Sequence, residues 1–519
     1  MLKRLQGLTL AASILVFGSA GAQEVTLVVN PNVIGAPTFN PLKATVINTQ
    51  STLIFDTLVQ RDRNFSYHPA LALSWESSGD GLTWTFKLKE GVKFHDGEPF
   101  NGEAVKWWLE AYRGSQVDNL VDAIATIDVP DPYTVKLNMK RPDPNLLFNL
   151  SSSWMGFPSP KAVKEMGEDY GVKGAVGTGP FILEEHVVGQ YTVLRRNPDY
   201  TWGGLSQNKG PARIARITMR EIAEQSTAFL ELKTGGVDAL LYVPTDFVPQ
   251  VKAEANLAMV ELMGSDVMYM PINVTSGPFA DIRIREAVAL AIDQKEILQG
   301  IFKGVGMEAH NFLISALSES KVDPKYNIGY NPERAKKLLD EAGWPVGSDG
   351  TREKDGKPFT VKLWAQSESE FKRVAEAVQA QLAAVGIKAE VTTFDSSTIR
   401  EQYKANNHQL AIRSYSWPNA DILNWFFGGA RLGYPNVSMW NDAKAEELGA
   451  TAQTGSRTPE ERLINYTKYH EYVLSQFVFA PIYQPVQFMA YNKARIRFPD
   501  KIMTPEFDSV MALDMEIVE

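Results

Sequence analysis

The chain has 519 residues, 44 % hydrophobic and 22 % charged, a globular balance that excludes disorder and fibres; its length exceeds what one cooperative core reaches, so several domains are expected. Aspartate and glutamate (61) outnumber lysine and arginine (52), against the basic footprint of a nucleic-acid binder. Cysteine is absent, which excludes disulfides, cysteine nucleophiles, thiolate-held metal sites and lipid attachment through cysteine.

Lys3 and Arg4 precede an apolar run over residues 8–17, and Ala20-Gly21-Ala22 fits the small-x-small cleavage pattern. Residues 1–22 are therefore expected to be a signal peptide, cleaved after Ala22. The run is shorter than the ~20 residues that span a bilayer, and no second one follows. With no cysteine at the cleavage site, a periplasmic protein is expected rather than a lipoprotein.

Trp84, Phe86 and Leu88 alternate with Thr83, Thr85 and Lys87, the pattern of a half-buried strand. Glu90-Gly91 leading into Val92-Lys93-Phe94 suggests a hairpin partner for it. Asn101 is placed to cap a helix through Val105, Trp108 and Leu109. Tyr133, Val135, Leu137 and Met139 alternate again, closed by Pro142 and Pro144. Ile284, Val288, Ala291 and Ile292 share one helical face. Asn331-Pro332 supplies a cap and a first-turn proline for the next helix, which Gly343 stops. Val374, Val378 and Leu382 line a helix ending at Gly386, and residues 387–394 follow as a strand, a strand–helix–strand unit of the α/β kind. Without repeats or a long polar linker, the domains are expected to pack on one another, discontinuous segments included.

No chemistry-bearing motif emerges. G-x-S-x-G, H-E-x-x-H and G-x-x-x-x-G-K-[ST] are absent. Gly304-Val305-Gly306-Met307-Glu308-Ala309 fits the loose dinucleotide pattern but follows a helix where that motif needs a strand. His68, His95, His186, His310, His408 and His470 lie far apart, with no pair at metal-clip spacing. No catalytic residue, metal or cofactor is expected. The stretch 415–427 instead packs five aromatics among amides and a carboxylate. Phe426 and Phe427 are expected in the core, whereas Pro418-Asn419 demands a loop and puts Trp417 at a strand end. Such a segment suits an amphipathic solute, with flat apolar faces beside fixed polar groups.

Several blocks resemble the oligopeptide, dipeptide and nickel receptors of ABC importers, the family 5 extracellular solute-binding proteins. They are Pro69-Ala70-Leu71-Ala72 through Gly91-Val92-Lys93-Phe94-His95-Asp96-Gly97, then Gly177-Thr178-Gly179-Pro180-Phe181 with Arg196-Asn197-Pro198-Asp199-Tyr200. Further blocks are Pro278-Phe279-Ala280-Asp281 through Asp293, Tyr330-Asn331-Pro332-Glu333 to Gly343-Trp344-Pro345, and residues 375–386. The resemblance implies an α/β, two-lobed periplasmic-binding-protein fold with a hinge and an extra α+β domain on the first lobe. Lobe one would comprise 23–51, 177–269 and 488–519, the extra domain 52–176 and lobe two 270–487, with hinge strands near 268–273 and 485–491. It also implies a monomeric, non-enzymatic receptor that captures a short peptide or peptide-like solute by lobe closure and delivers it to a membrane permease.

Tyr415, Trp417, Asn419, Asp421, Trp425, Trp364, Gln366 and Asn273 are the candidate ligand-binding residues. The aspartate that grips a peptide's ammonium in the family aligns with Pro418, three residues before Asp421, and no arginine follows the strand at 361–363. These departures, with the tryptophans, leave an oligosaccharide or opine receptor as the alternative. A nickel chelate is less suited to scattered histidines, and a periplasmic hydrolase on the same fold would need a turnover that no motif predicts.

Overall fold

The computed structural model describes residues 23–29, 38–44, 48–115, 117–262 and 264–518; the expected signal peptide, 1–22, lies outside them. Strand Glu24–Val29 pairs in parallel with Arg216–Glu221 on one side and Ala239–Leu240 on the other. It is central in a seven-stranded sheet ordered Leu257–Leu262, Gln487–Asn492, Ala239–Leu240, Glu24–Val29, Arg216–Glu221, Tyr191–Arg196, Phe181–Val187. Successive strand side chains point to opposite faces. Leu27, Ala239 and Met489 therefore join one core, and Val28, Leu240 and Ala490 a second, beneath helices Gln225–Thr234 and Val248–Ala253.

A second body is built on the sheet Met307–Glu308, Phe479–Gln484, Asp266–Pro271, Arg413–Ser416. Strand Phe479–Gln484 is buried at every position, as a strand covered on both faces must be. Next to it, Thr360–Gln366, helix Ser369–Ala384 and Lys388–Phe394 form the expected strand–helix–strand unit, with parallel strands.

A third core centres on an antiparallel sheet of Ala72–Ser77, Thr83–Leu88, Thr134–Met139 and Ile124–Asp131. Helix Gly102–Ala111 buries Val105, Trp108 and Leu109 against it, capped by Asn101, whose side chain accepts from the Ala104 amide at 3.1 Å. The expected hairpin partner at 92–94 is not one. Thr83–Leu88 pairs with Ala72–Ser77 and Thr134–Met139, and Lys93 instead bridges to Pro99 in a local loop. With both edges of Thr83–Leu88 occupied, the turn at Gly91 leads the chain away from the sheet. Leu53, Ile54 and Phe55 pack in the first core rather than the third.

The chain passes twice between the seven-stranded sheet and the second body: from Leu257–Leu262 into Asp266–Pro271, and from Phe479–Gln484 into Gln487–Asn492. The crossings touch. A Cβ on Gly264 would sit 2.1 Å from the Pro485 carbonyl oxygen, so glycine permits the approach. Gly264→Ala is expected to force the connectors apart and cost about 1–3 kcal/mol, the overpacking range. Urea denaturation checks this, and unchanged stability would show that the crossings separate freely.

Candidate ligand cleft

Three adjoining cavities run between the cores. The one beside the crossings, about 370 Å³, is lined by Thr52, Tyr242, Asp266, Ser416, Gln487 and Glu506 among others. A middle cavity of about 70 Å³ shares Thr52, Ser153 and Glu506 with it and adds Asp56, Gln60, Arg61 and Asp508. A third, of about 250 Å³, shares Arg61 with the middle one and reaches Tyr67, Phe148, Glu319, Asn419 and Arg462.

Local structure explains how these groups arrive. Asn48 caps helix Thr49–Ile54 through the Ser51 amide, 2.8 Å, setting Thr52 on the cleft wall. Asp508 caps helix Ser509–Asp514 through the Val510 and Met511 amides, at 3.0 and 3.2 Å, and Glu506 precedes it. Asp56 accepts from Tyr200 Oη, Trp202 Nε1 and Thr178 Oγ1 at 3.1, 3.1 and 3.2 Å.

Burial disfavours charge. It pushes Asp56 and Asp266 up to about 6 and Asp508 up to about 7, although each accepts hydrogen bonds that pull the other way. It also raises the Glu506 carboxyl, against the field of Arg61. The Arg61 guanidinium lies over the Phe148 ring, 4.6 Å from its centroid.

At the far end a polar network joins the second and third cores. Arg462, on helix Pro459–Ser475, donates to Glu319 Oε1, to Asn419 Oδ1 and, at 3.1 Å, to Asn145 Oδ1. The same Asn145 oxygen accepts from Asn419 Nδ2 at 3.3 Å, while Asn145 Nδ2 donates to Asp421 Oδ2 at 3.1 Å. Trp417 Nε1 donates to Asp421 Oδ1 at 2.6 Å, and the Trp417 ring packs on Phe148 at 5.5 Å. The Asn145 amide, next to helix Leu146–Leu150, is thus held by three side chains of the opposite body.

Of the candidates read from sequence, Asn419 lines the third cavity, Asp421 lies one hydrogen bond behind it and Trp417 one bond behind Asp421. The others are placed elsewhere. Tyr415 is buried in an aromatic core and donates to the Phe312 carbonyl. Trp364 is buried against Phe394, Tyr403 and His408. Asn273 is buried and donates to Asn406 Oδ1 and the His408 carbonyl. Trp425 is 40 % exposed, with Arg431 over its ring. Gln366 ends strand Thr360–Gln366 and contributes to none of the three cavities. Arg61, Asn145, Asp266, Glu319, Arg462 and Glu506 carry no local signal that marks them in the sequence.

The family model for bacterial extracellular solute-binding proteins, family 5, matches residues 66–432. The chain belongs to this family. Family 5 proteins are binding receptors of ABC importers, and this member is one of them. It is 30 % identical over 403 residues to the glutathione-binding protein GsiB of Salmonella typhi, covering 76 % of this chain and 74 % of the relative. To heme-binding protein A of Haemophilus influenzae it is 25 % identical over 481 residues, 86 % and 84 % of the two chains. HbpA2 from Haemophilus parasuis matches 96 % of this family 5 chain and all of its own, with a TM-score of 0.80 at 22 % identity. NikA from Brucella suis, in complex with Fe(III)-EDTA, matches 94 % and 99 % with a TM-score of 0.80 at 24 % identity. The two structures establish the two-lobed fold. Among the described residues no helix is long and apolar enough to cross a membrane.

Proposed function

We propose that this family 5 receptor captures a short peptide or peptide-like solute in the cleft and hands it to a membrane permease. The observation that carries the ligand class is the pair of opposite charges, Arg61 and Glu506, on the wall of one small cavity without a direct ion pair. A solute with both a carboxylate and an ammonium answers both. The glutathione-binding relative supports the same class.

In this reading residues 23–51, 177–265 and 488–519 form the first lobe, 52–176 the extra domain and 266–487 the second lobe, four residues earlier than the sequence boundary. Strand Asp266–Pro271 counts with the second lobe, because it pairs there along its length. Ligand bridging the lobes favours the closed form by its differential affinity and so shifts the open–closed equilibrium. The touching crossings at Gly264 and Pro485 are the hinge. The chain acts as a monomer in the periplasm after cleavage behind Ala22.

An oligosaccharide reading rests on tryptophan stacking. Trp364 and Trp425 stand away from the three cavities, and Trp417 is spoken for by Asp421 and Phe148. Titration calorimetry with trialanine, glutathione and maltotriose decides: saturable heat from a peptide and none from maltotriose is expected. Heat from maltotriose alone would overturn the peptide class.

A further inference from the structure

The middle cavity is where two opposite charges meet without pairing. Nη1 of Arg61 is shielded from solvent and has no hydrogen-bond partner among the described residues. Glu506 accepts no hydrogen bond to its carboxylate among them, and the charge it answers is Arg61 across the cavity. Glu506 is exposed, and its side chain lines both the middle cavity and the one beside the crossings. A guanidinium nitrogen shielded from water without a partner carries an uncompensated desolvation penalty, which an anionic ligand group would relieve. In Arg352 the same chain shows how it satisfies such a group, with Val385, Trp344 and Lys336 carbonyls and the Asp340 carboxylate all accepting. Arg61 and Glu506 are not built that way. The hydroxyls of Thr52, Ser153 and Ser509 complete the wall of a space of about 70 Å³, small enough that a few heavy atoms fill it and large enough to take more than water.

Resting on the peptide-like reading above, we infer that Arg61 and Glu506 together hold a free α-amino-acid head group, its carboxylate on Arg61 and its ammonium on Glu506. The two ligand charges sit on one carbon, and the two protein charges sit on one small cavity. A linear α-peptide separates its ammonium and carboxylate by its whole length and fills the cavity with one of them, leaving the other protein charge unpaired. A side-chain-linked peptide such as γ-glutamylglycine keeps both on its first residue and sends the remainder into the larger cavity on either side. The preferred ligands are therefore side-chain-linked peptides or amino-acid conjugates, gripped from the first-lobe side of the cleft.

Calorimetry with γ-glutamylglycine, its N-acetyl derivative and trialanine tests this on the wild type, Arg61→Met and Glu506→Gln. Wild type is expected to bind γ-glutamylglycine best. Each substitution and N-acetylation should weaken that binding by about 100-fold, the effect of truncating one partner of a buried charge pair. Thermal unfolding of each variant checks folding, and Glu506→Gln, on a surface facing open space, keeps the test intact if Arg61→Met unfolds. Trialanine binding as tightly as γ-glutamylglycine, or variants that bind like wild type, overturns the head-group assignment and leaves the peptide receptor standing. Heat from none of the three peptides overturns both.

Discussion

Arg462→Met is expected to destabilise the protein by about 3–5 kcal/mol, the cost of removing one partner from a buried ion pair, and to weaken ligand binding with it. Arg462 and Glu319 expose only 12 % and 10 % of their side chains, so Glu319 would be left charged and unpaired. The Asn419 and Asn145 oxygens would each lose a donor. Asn145→Ala separates the two effects. It leaves the Arg462–Glu319 pair intact within the second body and removes only bonds that cross between bodies. Its stability should stay within about 1 kcal/mol of wild type, since an open cleft lets water satisfy the freed groups. Its affinity should fall by about 10-fold or more, because the closed form alone loses those bonds. Urea denaturation and calorimetry on both variants check this, and an Asn145→Ala protein with wild-type affinity would show that the bridge plays no part in closure.

The second large effect is in acid. His95 accepts from the Gly177 amide and donates to the Gly179 carbonyl at 2.9 Å. His470 accepts from the Phe312 amide and donates to the Glu319 carbonyl at 3.1 Å, and His408 donates to the Val437 carbonyl at 2.5 Å. Burial pulls all three down to about 4. The unfolded chain protonates them from about 6.5 downward while the native state does not, so stability is lost as pH falls through that interval. Asp56, Asp266 and Asp508 act oppositely. Their native values of about 6, 6 and 7 lie above the usual 3.8, so the native state holds protons that the unfolded state releases, and this contribution is lost as pH rises. Burial raises Asp143, Asp421, Glu221, Glu370 and Glu506 in the same sense and lowers His186, so a single group is read from the difference in slope between a variant and wild type. Asp508→Asn keeps a side-chain acceptor for the helix cap and removes one native proton. Relative to wild type, the variant should lose about 1.4 kcal/mol per pH unit between pH 6 and 5. Urea denaturation of both proteins at both pH values reads the slopes, and a variant whose slope equals that of wild type would contradict the assignment.

The fold was legible wherever a local pattern had a local cause. Alternation at 83–88 and 133–139, the Asn101 and Asn331 caps and the strand–helix–strand unit over 360–394 all describe what neighbouring residues do to one another. The hairpin at Gly91 was misread because the true partners of Thr83–Leu88 arrive from Ala72–Ser77 and from Thr134–Met139, well along the chain. In the cleft the loop after Arg413–Ser416 was legible, since Pro418-Asn419 forces the chain off a strand end, and Asn419 reaches a cavity from there. Tyr415 and Trp364 were misplaced for one reason: an aromatic at a strand end serves a core as readily as a wall. Arg61 and Glu506 come from nearly opposite ends of the chain. Locally each is an ordinary charged residue, one ending strand Val59–Arg61 and the other following Pro505. Only the fold brings them to one cavity.

Native mass spectrometry of the protein purified gently from its own periplasm tests the central claim most directly. The account predicts a bound species whose mass is that of a short peptide or an amino-acid conjugate. A bound hexose series or a metal chelate in its place would contradict it.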